Sequence, residues 1–248
     1  LYLYLEQHNH RLLGSYFECL WQFFFQFNPD WQQLAHNVQV IHNKQTLGEL
    51  DIIARHQQES VMHLELAVKF YLQHPNHDGT QSQHWLGPQC RDRLDIKLGK
   101  LHDKQFPFLR HPAAMDTLIK RQLPPPREQW LVLKGYLFHQ WQQSFQLPLA
   151  VNPQHLMGQW LHQAHVSQLL GQHDYWLFIN KPQWLGNIEL TSQDSQPLNR
   201  DQVAEQIQQH FTLSPRKHAL MLVKLIKENG QYAETHRYLI VNDNWPEV

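Results

Sequence analysis

Apolar and aromatic residues recur at three- and four-residue steps from Leu12 to Phe27, which is the spacing of one face of an α-helix. The pattern predicts a buried helix over these residues, and Asn28-Pro29-Asp30 is the signal that ends it. A short second helix is expected from Trp31 to His36. An extended segment that begins at Val38 is then expected to lead into a sheet.

Two apolar runs rich in β-branched residues, 48–54 and 63–70, flank a polar turn at 56–60 and predict a β-hairpin. Because strand side chains alternate between the two faces of a sheet, Glu65 and Lys69 are expected to share one face. If the preceding strand directs Asp51 to that side, two carboxylates and an ammonium converge near one edge of the sheet. Oxygen ligands of this kind suit Mg²⁺, which proteins hold through one or two carboxylates together with water and phosphate oxygens.

Residues 73–88 are polar and punctuated by proline and glycine, which predicts a loop, and a helix is predicted from 91 to 105. One stripe of this helix is apolar and consists of Leu94, Leu98 and Leu101. The other stripe is basic and consists of Arg93, Lys97, Lys100 and Lys104. The basic stripe makes Arg93 and Lys97 candidate phosphate-binding residues, and a solvated helix face is the alternative interpretation.

The triple proline at 124–126 is a rigid break, and the run that follows predicts a strand from 130 to 138. Beyond about residue 140 the pattern alternates between helices and strands. It predicts a helix at 153–161, a strand at 175–179 and a helix at 200–211. A final hairpin is expected to pair 219–226 with 236–241 across Asn229-Gly230, which is a dipeptide typical of tight hairpin turns.

Composition narrows the classes of protein that the chain can represent. Its 248 residues are 42% hydrophobic, which is enough to bury a core, and its formal net charge is −1. Since nucleic-acid binding usually shows as a basic excess, any such binding must use a local patch. The two cysteines lie far apart, which argues against a disulfide framework and favours a cytoplasmic location. The most apolar segment, 16–27, is too short to span a bilayer, so no membrane partner is expected.

At the hairpin the sequence resembles the PD-(D/E)xK phosphodiesterase superfamily, in the variant where Gly48-Glu49-Leu50-Asp51 precedes a strand with an acid and a lysine. Gly14, the segment 16–18 and Gly87-Pro88 also resemble a bacterial family assigned to that superfamily. The resemblance covers residues 10–140. It implies an α/β fold with a restriction-endonuclease-like mixed sheet flanked by helices, and it leaves 141–248 as an α/β C-terminal extension of unknown role.

The resemblance also implies roles for individual residues. It makes Asp51 and Glu65 the ligands of Mg²⁺, with Mn²⁺ as the alternative ion and a backbone carbonyl near Leu66 as a further ligand. Lys69 would orient or activate water, and Glu18 would be a supporting acid. In the usual motif the lysine follows the acid by two residues, but here that position is Ala67. Lys69 stays on the same face of the strand, displaced by about 6–7 Å along it.

The leading hypothesis is a metal-dependent phosphodiesterase that acts on DNA or RNA in the cytoplasm. A second hypothesis is a catalytically inactive protein that keeps the nuclease fold and binds nucleic acid, with the displaced lysine as the sign of lost catalysis. A third is a protein-interaction module with a glutamine-rich surface. For Asp51, Glu65 and Lys69, the structural alternative to a catalytic role is a set of solvated or mutually paired side chains on a strand.

Overall fold

The computed structural model describes residues 1–7, 12–57, 59–191, 194, 196–213 and 218–247. The chain is an α/β protein in which helices flank β-sheet structure. Its residues group into two compact units, and we call 1–68 with 97–134 the first unit and 69–96 with 135–248 the second unit. Whether 10–140 and 141–248 behave as separate domains stays a prediction.

The regular elements have the following bounds. The helices are α1 (Tyr2–Glu6), α2 (Leu13–Phe27), α3 (Leu94–Lys100), α4 (Phe106–Phe108), α5 (Pro112–Lys120), α6 (Val166–Leu169) and α7 (Arg200–Leu213). The strands are β1 (Trp31–His42), β2 (Gln45–His56), β3 (Val61–Gln73), β4 (Trp85–Leu86), β5 (Glu128–Gln140), β6 (Leu156–His162), β7 (Tyr175–Ile179), β8 (Glu189–Leu190), β9 (Leu220–Glu228) and β10 (Gln231–Val241). A π-helical turn, Leu101–Gln105, joins α3 to α4. Short 3₁₀ turns are Ser82–His84, Gln163–His165 and Lys181–Leu185.

The first unit is built on strands in the order β1-β2-β3-β5, with β1–β2 and β2–β3 antiparallel. Helices α2 and α5 pack on β1. The core between α5 and the strands is apolar and includes Val38, Leu50, Ile53, Leu109 and Leu118. The predicted helix at 12–27 and the predicted hairpin are therefore confirmed as α2 and as β2–β3. Gln58, part of the turn predicted at 56–60, lies outside the described residues.

One prediction of local structure was wrong, and a second was confirmed only in part. Residues 31–36 form the start of β1 rather than a helix, because Trp31 to His36 pair with residues 52–56 of β2. The helix predicted at 91–105 is α-helical only from Leu94 to Lys100 and then widens into the π-turn. Pro107 follows that turn, and in a regular α-helix its ring would clash with the carbonyl of Asp103. The wider turn places this proline without that clash.

The second unit contains a mixed sheet in the order β5-β6-β10-β9-β7, with β4 paired to β3 and β8 paired to β10. The β5–β6 and β6–β10 pairs are parallel, whereas β10–β9 and β9–β7 are antiparallel. Helix α7 packs near β7 and buries Val203, Ile207 and Phe211 in the core of this unit. The predicted strand at 175–179, helix at 200–211 and final hairpin are confirmed, and Asn229 and Gly230 both have the positive φ that such a turn requires.

Residues 153–161 were predicted as a helix, but residues from Leu156 onward form β6. This strand lies between β5 and β10 and pairs with both, which buries Trp160 and Leu161. Helix α5 was not predicted. It begins after His111, whose ring nitrogen accepts the N–H of Ala113 at 3.2 Å. Among the described residues, none of the helices has the length and apolar composition needed to cross a membrane.

Candidate acidic site

Asp51 and Glu65 face each other across β2 and β3. The backbone ladder between these strands ends at the pair Ile52–Leu64, and the next residues in that antiparallel register are Asp51 and Glu65. Opposite residues of an antiparallel pair project to the same face, so the two carboxylates share one side of the sheet. Asp51 Oδ2 accepts a hydrogen bond from the Leu66 N–H at 2.7 Å. Glu65 is buried, with only 4% of its surface exposed.

Strand β1 adds Asn37 to the same face. The pairs His36–Ile52 and Val38–Leu50 lie on either side and place Asn37 opposite Asp51. Asn37 has a φ of 48°, in the left-handed region that asparagine tolerates better than most residues. Its Nδ2 donates to Glu49 Oε1 at 2.7 Å and to Glu18 Oε2 at 3.4 Å. One amide therefore binds two further carboxylates beside Asp51.

Helix α2 supplies two side chains to this network. Glu18 and Gln22 are four residues apart and lie on one face of the helix. Gln22 Nε2 donates to Asn37 Oδ1 at 3.2 Å, so the helix binds both ends of the Asn37 amide. Burial raises the pKa of Glu18, and the negative charge of Glu49 raises it further. The hydrogen bond from Asn37 acts in the opposite direction and lowers this pKa.

Lys97 of α3 and Gln105 of the π-turn bring a cation to the carboxylates. Lys97 Nζ donates to Gln105 Oε1 at 2.9 Å. Gln105 Nε2 in turn donates to Glu65 Oε1. A single amide thus links the ammonium of Lys97 to the carboxylate of Glu65.

Burial disfavours the charged forms of both central carboxylates. It raises the pKa of Asp51 to about 6, against the opposing effects of the Leu66 N–H and the Lys97 charge. It raises the pKa of Glu65 to about 7, where the negative charge of Asp51 adds to the effect of burial and Lys97 and Gln105 oppose it. A bound cation would relieve this repulsion, because it favours the ionised form of both groups.

His63 lies two residues before Glu65 on the same face of β3 and is fully buried. Gln129 Nε2, which can only donate, lies 3.4 Å from His63 Nδ1, so the proton of the neutral ring is assigned to Nε2. That Nε2 is 3.9 Å from Glu65 Oε2 and has no hydrogen-bond partner among the described residues. Burial lowers the pKa of His63 to about 4, so the ring is neutral at pH 7.

The donor set at Asp51 and Glu65 fits Mg²⁺ or Mn²⁺ in chemical type. Two carboxylates on one face can hold such an ion if water or phosphate oxygens fill the remaining positions. Within the part of the chain that the structure describes, no group of three or more His, Cys, Asp or Glu side chains is arranged to hold a metal ion. The fit is therefore to an ion held by few protein ligands, with Asp51 and Glu65 as those ligands.

The other predicted site residues have partners of their own. The ammonium of Lys69 pairs with Asp92 Oδ2 at 2.5 Å, and both residues belong to the second unit. Arg93, also in the second unit, forms a forked pair with Asp95 at 2.6 and 2.9 Å. The first unit thus brings together Asp51, Glu65, Glu18 and Lys97, whereas Lys69 and Arg93 are paired with carboxylates elsewhere in the chain.

Sequence reasoning missed several members of this network. Glu49 was not missed, since it shares the strand alternation of Asp51 and the sequence favoured a structural salt bridge or an outward-facing role for it over catalysis. His63 carried a signal, because it shares the alternation of Glu65. Asn37 had none, since its position depends on the pairing of β1, which was predicted in part as a helix. Gln105 had none either, because its position depends on the π-turn.

A model of the family described as "Domain of unknown function (DUF1853)" matches residues 1–241 of the chain. The match includes every residue of the acidic site. No curated protein and no solved structure matches the chain.

Proposed function

The chain belongs to the DUF1853 family, and we propose that its acidic site is the centre of a metal-dependent phosphodiesterase that acts on nucleic acid. The observation that carries the proposal is the position of Asp51 and Glu65, opposite each other on β2 and β3 and linked through Gln105 to the cation of Lys97. Hydrolysis of a phosphodiester needs this combination of carboxylates and positive charge.

The order of elements supports a restriction-endonuclease-like core as part of this proposal. Helix α2 precedes the β2–β3 hairpin, and helix α3 and strand β5 follow it. This is the order that the resemblance to the PD-(D/E)xK superfamily implies, with one acid on the first strand of the hairpin and one on the second. Glu18, on the helix before the hairpin, has the place of the supporting acid and is bound to the site through Asn37.

Each group has a defined part in the proposed reaction. Asp51 and Glu65 would hold Mg²⁺ or Mn²⁺, which when bound supplies charge stabilisation and a more acidic water. Lys97 places a positive charge beside the carboxylates, where it would stabilise negative charge on the phosphoryl oxygens. Glu18, Glu49 and Asn37 form a hydrogen-bonded support beside Asp51.

Two lysines, Lys69 and Lys97, are candidates for the catalytic ammonium. Lys69 is the residue that the motif suggests, and its ammonium is paired with Asp92. Lys97 is the residue whose charge acts on both Asp51 and Glu65. We infer that Lys97 supplies the ammonium, and that Lys97→Met lowers the cleavage rate by on the order of 10²-fold at unchanged substrate affinity. Lys69→Met provides the comparison, and a larger loss in that variant would assign the role to Lys69.

The pairing of Lys69 with Asp92 favours a second candidate function, a nucleic-acid-binding protein on the same scaffold without catalysis. In such a protein the acidic site would bind a cation, and neither lysine variant would change a reaction rate, because there would be none. Metal and nucleic-acid binding without cleavage of any tested form would support this candidate.

The deciding experiment is a cleavage assay on single- and double-stranded DNA and RNA with Mg²⁺, Mn²⁺ or chelator. We expect metal-dependent cleavage that Asp51→Asn lowers at least 10²-fold, because the amide loses the charge that holds the ion. Asp116→Asn, which changes an exposed acid of the first unit, is the matched control and should cleave like the wild type. Absence of both cleavage and Mn²⁺ binding in the wild type would overturn the proposal.

A further inference from the structure

The π-turn Leu101–Gln105 decides which side chain reaches Glu65. Gln105 follows Lys97 by eight residues, and in a continuous α-helix such residues are rotated by about 80° from each other. A π-turn contains more residues per turn, so each residue rotates less and Gln105 comes back toward the face of Lys97. Turns of this type are rare in proteins overall, and those that occur are often found at functional sites.

The two ends of the Gln105 amide have different partners of opposite charge. Oε1 accepts from the ammonium of Lys97 at 2.9 Å, and Nε2 donates to the carboxylate of Glu65. The reverse orientation of the amide would direct its N–H groups at the ammonium and its oxygen at the carboxylate, and both contacts would be repulsive. The charges of the two partners therefore determine the orientation of the amide.

We propose that Gln105 is a positioning residue of the acidic site, whose amide holds the Glu65 carboxylate and the Lys97 ammonium in a fixed relation for cation binding. This inference rests on the proposed function. The hydrogen bond occupies Oε1 of Glu65, while Oε2 lies beyond hydrogen-bond distance of His63 Nε2, at 3.9 Å. Gln105 thereby presents the carboxylate to a cation through Oε2, and its amide satisfies both partners because it carries an acceptor oxygen and a donor nitrogen.

The test measures Mn²⁺ affinity of the full-length chain by electron paramagnetic resonance, at one pH and without substrate. Gln105→Met keeps the length of the side chain and removes both hydrogen bonds. We expect about tenfold weaker Mn²⁺ binding, the lower end of the effect of losing a residue that supports a metal ligand. Gln105→Asn retains the amide on a stem one methylene shorter, cannot reach both partners, and should show the same loss. It also serves as the second variant if Gln105→Met does not fold.

Two comparisons separate positioning from a general structural role. His102→Ala alters an exposed residue of the same π-turn and should leave Mn²⁺ affinity within twofold of the wild type. A double-mutant cycle of Gln105→Met with Lys97→Met should be non-additive, because the two side chains act through one hydrogen-bonded chain. Additive effects, or Gln105 variants that bind Mn²⁺ like the wild type, would overturn this inference alone. A wild type that binds no Mn²⁺ would overturn this inference, and the absence of cleavage as well would overturn the proposed function with it.

Discussion

At the scale of single residues, burial has the largest effect on the chemistry of Glu65. The side chain is 4% exposed and its pKa is raised from 4.5 to about 7, first by burial and then by the charge of Asp51. Between pH 4.5 and 7 the folded state therefore binds more protons at this group than the unfolded state does. The free energy of unfolding must fall as the pH rises through this range and must stay lower above it.

This linkage predicts how stability depends on pH. From the raised pKa of Glu65, the folded protein should lose on the order of 3 kcal/mol between pH 4.5 and pH 8, when no metal ion is bound. Glu65→Gln removes the titrating group and should be more stable than the wild type at pH 8 but not at pH 4.5. Urea unfolding at the two pH values measures the difference. An equally steep pH dependence in Glu65→Gln would contradict the prediction.

Asn37 offers a second test at this scale, because its backbone and its side chain have separate roles. Its φ of 48° is costly for most residues and free for glycine, and its amide binds Glu18 and Glu49. Asn37→Ala should therefore lose about 1–2 kcal/mol more stability than Asn37→Gly in urea unfolding. If the two variants are equally stable, the left-handed conformation contributes no strain.

At the scale of elements, close approach of two strands explains one glycine of the second unit. Gly135 of β5 has a φ of +135°, and a Cβ at this position would lie 1.7 Å from the carbonyl oxygen of Lys69 on β3. No movement of a flexible side chain can relieve that overlap, because the atom in the way belongs to the backbone. The approach of β5 to β3 therefore requires glycine here.

The expected result is a large loss of stability in Gly135→Ala, on the order of 3 kcal/mol or more, since the strands must separate to accept the methyl group. Gly186→Ala is the control in the same unit, because a Cβ there meets nothing within 4 Å. Thermal unfolding followed by circular dichroism compares the two. A Gly135→Ala variant as stable as the control would show that β3 and β5 do not approach this closely.

At the scale of the whole molecule, a net charge of −1 offers little general attraction to nucleic acid, so the proposed substrate must be bound by local cations. Lys97 is engaged with Gln105 and Arg93 with Asp95, whereas Lys100 and Lys104 are exposed. Lys100 and Lys104 are therefore better candidates for phosphate binding than Arg93 and Lys97, the other two residues of the predicted basic stripe.

A salt titration tests this assignment on the intact chain. Replacing Lys100 and Lys104 with alanine should reduce the magnitude of the negative slope of log affinity against log salt by about 0.9 for each phosphate of duplex DNA that the variant no longer neutralises. Lys120→Ala changes an exposed lysine of α5 and provides the comparison. A slope equal to the wild-type value would support the alternative interpretation, in which the basic stripe is a solvated helix face.

The sequence by itself determined the elements whose signals are local. Helix α2 follows from its three- and four-residue periodicity, the β2–β3 hairpin from two β-branched runs, and the β9–β10 hairpin from Asn229-Gly230. It also placed Asp51 and Glu65 on adjacent strands, and the antiparallel register then puts them on one face.

Only the tertiary structure decided the elements and contacts that depend on residues distant in sequence. The first residues of β1 and most of β6 have patterns compatible with a helix, and they are strands because neighbouring strands satisfy their backbone groups. Lys97 is linked to Glu65 because the π-turn directs Gln105 toward it, and no spacing in the sequence encodes that rotation. Side-chain chemistry is local, but which side chains meet depends on how strands pair and helices turn.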